Sequence, residues 1–488
     1  MKAASKYIIA FSLLAGMLTS CRKSLLDTTP ATAVVADLSP FETPARVYNQ
    51  VLSLYGTLKT GNFYGGRYVV YGDIRGEDFL NETSNLVTAS DVWGLNLANS
   101  ATSVKGLWSQ AYITINACNV FLDGMVAKGS AVVGDSLSKN YIAEAKLIRA
   151  LSNYSLLQYF SMPYGYNNTN GNTPGIPLRM KGNLISGNYD LKRSTVAEVY
   201  AQVIRDLDSA ETLLPLKYST AYTSTTRAHR NTAIALKTRV YLSMQAYDKV
   251  ITEANKIVTT VAPFTATTGY ASALQSDVTA VYKSPYTTSE SILSMPMTIT
   301  LGDYPGTQNS LCSYFYMSSS TAGSTEYSLN PSGIIANTGW KSTDKRRSLI
   351  FTNSAGTKRF VAKYTTASPY TDYVPVIRYA EVLLNLAEAR VRATNSIDIQ
   401  ALALLNAVRS RSDATTVLAP ATVADFTEAI LTERRIEFLG EGLRNNDLMR
   451  LVQNIPAKGS APSKTPTQDG YIWPMSSEEL SLNKLINQ

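Results

Sequence analysis

Apolar residues recur along this chain at helical spacing, and the helices they mark come in pairs. In residues 194–214 they fall at Val196, Val199, Tyr200, Val203, Leu207, Ala210 and Leu214, which is one helix face. Thr195 and Glu198 ahead of it have the spacing of a capping box, and Pro215 stops it. Ala233, Leu236, Val240, Tyr241 and Met244 predict a second helix. Tyr247, Val250, Ile251, Ala254 and Val258 predict a third almost at once. Two antiparallel helices joined by a short turn are the simplest packing of that pair. Tyr379, Val382, Leu383, Leu386, Ala387 and Arg390 mark a further helix, with Ala401, Leu404, Leu405 and Val408 as its partner, and residues 141–160 form a long one. A pair that cannot bury its own face needs neighbours, so the recurrence points to a TPR-like array. The expected class is mainly α, with few and short strands.

The chain has 488 residues, more than one typical core fills, so two lobes or a repeat array is expected. Helical scaffold is predicted over about 40–260 and 376–455. As excursions from it, about 56–105 and 262–375 are dense in Ser, Thr, Gly and Tyr and lack a sustained period. They read as loop-rich excursions forming a large ligand face on the scaffold.

Several chemistries are excluded by composition. The single histidine, His229, rules out a multi-histidine zinc site and an HExxH motif. It precedes a helical run, where a capping or surface role is the simpler reading. There is no GxxxxGK[ST] and no strand-borne GxGxxG, and no Asp/Asn spacing reads as a calcium loop, so no cofactor or metal is expected. The net charge of +8 comes from scattered residues beside acids, without a nucleic-acid stripe. Tyrosine is in excess, 30 against 12 Phe and 4 Trp, and its apolar face with a hydroxyl suits wet stacking surfaces.

The first residues carry an address. Lys2 and Lys6 precede an apolar run over 7–18, too short to span a bilayer, so 1–20 read as a signal peptide. Leu18-Thr19-Ser20-Cys21 resembles a bacterial lipobox, which makes Cys21 the expected lipidation site and the membrane a partner through a lipid anchor. Cys118 and Cys312 either pair in an oxidising compartment or stay as buried thiols.

Motifs then accumulate in order: LLDTTP at 25–30, GDIR at 72–75, LWSQAY at 107–112, INACN at 115–119 and AEAKLIRA at 143–150. The C-terminal third adds RYAEVLLNLAEA at 378–389, LNAVRSR at 405–411, ERRIEFLGEGLRNNDLMR at 433–450 and WPM at 473–475. This series resembles the SusD/RagB-type outer-membrane lipoproteins of the Bacteroidetes. The resemblance implies one SusD-like domain over 21–488 with a TPR-containing scaffold. It implies a non-enzymatic glycan-binding lipoprotein at the cell surface that captures oligo- or polysaccharide. Its expected partner is a SusC-like TonB-dependent transporter, for which it acts as lid. A peptide-binding or purely structural partner of the transporter is the alternative, and a glycoside hydrolase a more distant one.

Trp93 with Asn96 one turn away is the leading ligand candidate, because an indole stacks on a sugar's C–H face and an amide bonds its hydroxyls. The family often places a binding aromatic here; the alternative is a loop anchor. Trp340, Tyr304, Tyr314 and Tyr316 are further candidates, each with a structural alternative. Asp73 and Arg75 either bind hydroxyls or form an internal ion pair. Trp108 and Trp473 sit in scaffold motifs and read as core. The charges of 433–450 suit either paired catalytic carboxylates or a helical ion-pair network, and their three- and four-residue spacing favours the network. Gly442 is expected to end that helix as its C′ residue.

Overall fold

The computed structural model describes residues 39–185, 187–316 and 325–487. The predicted leader and Cys21 lie outside the described residues. Helix α1 (Pro44–Leu58) starts at Thr43, whose hydroxyl accepts the Arg46 N–H at 3.3 Å. It buries Val47, Val51, Leu54, Tyr55 and Leu58, and each such aliphatic contributes about 1.5–3 kcal/mol. Helix α2 (Arg67–Ile74) follows, then α3 (Ser90–Trp93), α4 (Thr102–Gly124), α5 (Asp135–Phe160) and α6 (Val196–Leu213). The capping box on α6 is present: the Thr195 N–H donates to Glu198 at 2.7 Å, and the Glu198 N–H donates to Thr195 Oγ1 at 3.2 Å.

Beyond α6 come α7 (Ala221–Thr226), α8 (Arg230–Ser243) and α9 (Tyr247–Ala254), then α10 (Leu311–Phe315), α11 (Tyr379–Thr394), α12 (Ile399–Ser412), α13 (Val423–Glu437) and α14 (Arg444–Arg450). Helices α4, α5, α6, α8, α9, α11 and α12 pack successively, each on the one before. That is the one-dimensional stacking of a repeat scaffold. The excursion between α9 and α11 leaves the array and returns, since those two helices pack side by side. Among the described residues no helix is long and apolar enough to cross a membrane.

Among the described residues six short strands form three antiparallel pairs: β1 (Phe79–Asn81) with β3 (Tyr327–Leu329), β2 (Ser291–Met295) with β6 (Val374–Arg378), and β4 (Ile350–Thr352) with β5 (Arg359–Val361). Every residue of β2 and β6 is buried, and β6 runs directly into α11, so this pair fastens the excursion to the scaffold.

Three expectations need correction. The stretch 56–105 is not an irregular excursion throughout: α1 extends to Leu58, and α2 lies within it with all eight residues buried. A helix buried all round shows no polar face, so no period betrays it. His229 does hold the N-cap position of α8, but it is not a surface residue. Its imidazole is fully buried against the Tyr270 ring at 5.5 Å, and burial lowers its pKa to about 4. Gly442 does not close α13, which ends at Glu437 with Phe438 as its cap. Cys118 and Cys312 are both free and buried.

Candidate functional site

The charge-dense C-terminal motif folds inward. Arg346, Lys363, Arg378, Arg409 and Arg411 share one buried volume with Glu290, Asp344, Glu433, Glu437 and Glu441. Arg378 sits at its centre, bonding Glu441 at 2.7 Å, Glu437 at 3.0 Å and also Glu290. Burial alone would raise these carboxyls. The surrounding Arg411, Arg378 and Arg346 instead hold Glu437 well below the usual range. A second network joins Arg434 and Arg450 to Asp447 and Glu388, and the two guanidiniums bring Asp447 down to about 2 against its burial. Every one of these carboxylates is engaged by a cation, so none is free to work as a general acid on a bound sugar.

The GDIR motif is part of the same interior. Asp73 Oδ2 accepts the Gly442 N–H at 2.8 Å, and burial pushes its carboxyl up. Gly72 and Gly442 lie so close that a Cβ on Gly72 would stand 2.0 Å from the Gly442 carbonyl. Gly442 itself has φ +79 and is pressed on Val69, which explains glycine at both positions. Arg75 is fully buried, donates to the Tyr471 carbonyl at 2.5 Å and lies over the Tyr159 ring. Asp73 and Arg75 do not pair with each other. Both fasten α2 to the C-terminal segment.

Trp93 is placed differently. Asn85 caps the short turn Leu86–Thr88, Ala89 reverses the chain at φ 71, and the single turn of α3 follows. The Trp93 indole N–H donates to the Phe79 carbonyl at 2.8 Å, which locks the ring to β1. The six-membered ring edge packs on Leu80 and Gly459, where φ is +49 and a Cβ would stand 3.2 Å from the indole. Lys458 is 5.8 Å from the ring centroid. Burial and the nearby Arg75 charge lower its pKa to about 7. The ring is half-buried, and Asn96 beside it is exposed.

The other candidates separate in two. Trp340 is buried under the Arg347 guanidinium at 4.0 Å, and Tyr314 is buried with its hydroxyl donating to the Gln308 carbonyl at 2.9 Å. Neither reaches a surface ligand from these positions. Tyr304 is 39% exposed beside the Lys59–Asp303 ion pair, and Tyr316 is half-buried against Phe351. No contact among the described residues joins either to Trp93. Trp93 and Asn96 lie three residues apart where α3 ends, the first half-buried and the second exposed. Trp108 and Trp473 are core, as expected, and Trp473 also walls a cavity of about 460 Å³ that the sequence reading missed. The composition DGYIWPM at 469–475, polar and aromatic together, is the one signal that could have marked it.

A family model described as "SusD family" matches residues 316–488, and one described as "Starch-binding associating with outer membrane" matches 43–242. A SusD superfamily protein from Bacteroides fragilis is 32% identical with a TM-score of 0.80, over 92% of this chain and 100% of that one. The chain belongs to the SusD family. Another similar SusD-family protein is SusD-like protein P38 of Formosa agariphila, 23% identical over 99% of this chain and 97% of that protein. Surface glycan-binding protein A of Bacteroides thetaiotaomicron, solved in complex with laminarihexaose, shares the SusD fold at 16% identity and a TM-score of 0.71, over 91% of this chain and 98% of that one.

Proposed function

We propose that this SusD-family chain is a glycan-binding lipoprotein of the outer membrane, anchored through Cys21 and facing the cell exterior. It captures oligo- or polysaccharide and delivers it to a SusC-like TonB-dependent transporter, which it covers as a lid. It does not cleave the glycan. The observation that carries the reading is Trp93: an indole fixed by its own N–H to the Phe79 carbonyl and left half-exposed, with the exposed Asn96 amide three residues on. A pre-set aromatic face loses little freedom on stacking, and the amide supplies directional bonds to hydroxyls. The relatives' descriptions, starch binding at the outer membrane and a laminarihexaose complex, point the same way.

Affinity electrophoresis of the mature chain through gels carrying a panel of polysaccharides tests this. Retardation by one polysaccharide class, abolished in Trp93→Ala, supports it. Retardation unchanged in that variant rejects the site.

A further inference from the structure

The cavity of about 460 Å³ beside Trp473 lies within the ~300–1,000 Å³ range of small-molecule sites. The core rings of Phe160 and Trp473 back its wall, and Arg193, Gln468 and Asp469 give it a polar rim. The Trp473 indole N–H is buried behind this wall and finds no acceptor among the described residues. Arg193 donates its Nε to the Gly175 carbonyl at 2.6 Å and its Nη2 to the Pro174 carbonyl at 3.0 Å, and has no carboxylate partner among the described residues. The contrast is with Arg149, Arg227, Arg239, Arg346, Arg378 and Arg450, each of which holds a carboxylate. The guanidinium of Arg193 is therefore held in place by backbone with its charge unspent. The short segment 93–97 serves both places: Trp93 faces Gly459, while Leu97 lines the cavity.

We propose that this cavity is a second glycan subsite, taking a sugar unit that carries a carboxylate, with the Arg193 guanidinium as that carboxylate's partner. The exposed Gln468 amide bonds the sugar's hydroxyls. Asp469, exposed on the rim and without an ion pair among the described residues, weakly opposes an anion. The proposal rests on the capture reading above and adds a substrate class to it.

The test is calorimetric titration of the mature chain with alginate, pectate and hyaluronan oligosaccharides, each against its carboxyl-reduced form, and with neutral glucans. At least one uronate oligosaccharide binds, and its reduced form binds about tenfold more weakly, the scale of one lost charge-assisted hydrogen bond. Arg193→Gln erases that difference. Asp469→Asn, at an exposed position that does not endanger folding, tightens the acid form about twofold. Trp93→Ala abolishes binding of acid and reduced forms alike. The proposal is overturned if the reduced forms bind as well as the acids, if no uronate binds, if either rim variant leaves the preference unmoved, or if a peptide mixture binds through Arg193 instead. Neutral glycan binding lost in Trp93→Ala without any acid preference removes this subsite and leaves the capture reading standing. No binding of any glycan removes both.

Discussion

Around Arg378 five cations and five carboxylates share a volume closed to water, whereas around Trp93 the polar groups are an amide, backbone carbonyls and one buried lysine. The first region is richer in the residue types that perform chemistry, but each of its charges is matched inside the protein. The second is poor in charge and keeps one aromatic ring half in solvent. Charge density in this fold marks where the scaffold is fastened. The candidate binding surface is marked by a fixed ring with an amide beside it.

That contrast sets an order of consequences. The largest belongs to Arg378→Ala, which leaves Glu290, Glu437 and Glu441 facing one another in the interior and costs about 3–5 kcal/mol. Urea denaturation measures it. A loss under about 1 kcal/mol would mean that water or relaxation already screens the network.

Acid comes next. Burial lowers His229 from the usual 6.5 to about 4, so the unfolded chain takes the proton first. Stability is whole above pH 6.5 and falls by about 3 kcal/mol as pH drops to 4. Denaturation midpoints across that window should slope in the native chain and flatten in His229→Gln. Below pH 3.8 the Arg-held Asp447 adds its own loss as pH approaches 2.

On the other side of the comparison, Trp93→Ala removes a half-buried ring and costs about 1–3 kcal/mol of stability, yet abolishes glycan retention. Asn96→Ala touches an exposed side chain, so stability stays within about 0.5 kcal/mol. Glycan affinity nevertheless falls about fivefold, the value of one hydrogen bond. If Asn96→Ala changed stability but not affinity, the amide would belong to the scaffold.

Much of the scaffold was readable because amphipathic helices write their packing into a 3.6-residue period, as Val196 to Leu214 and the Thr195 box show. Helix α2 was not, since all eight of its residues are interior and no polar face breaks the run. The charged motif was legible through its spacing. The fates of Asp73 and Arg75 were not: their partners Gly442 and Tyr471 lie 369 and 396 residues away in sequence. Trp340 and Tyr314 mislead for a related reason, because an aromatic in a loop-rich stretch looks exposed until Arg347 or the Gln308 carbonyl is seen to cover it. Trp93 and Asn96 were named through the family resemblance, and the structure leaves the first half-buried and the second exposed.

The central claim, that capture happens at the charge-poor face without cleavage, is tested most directly by one paired calorimetric measurement. The mature chain and its Trp93→Ala variant are titrated with the polysaccharide that retards the native protein, and reducing ends are assayed in the same samples. The account predicts saturable binding to the native chain, none to the variant, and no new reducing ends in either. Equal binding by both, or reducing ends that grow with time and persist in Trp93→Ala, would contradict it.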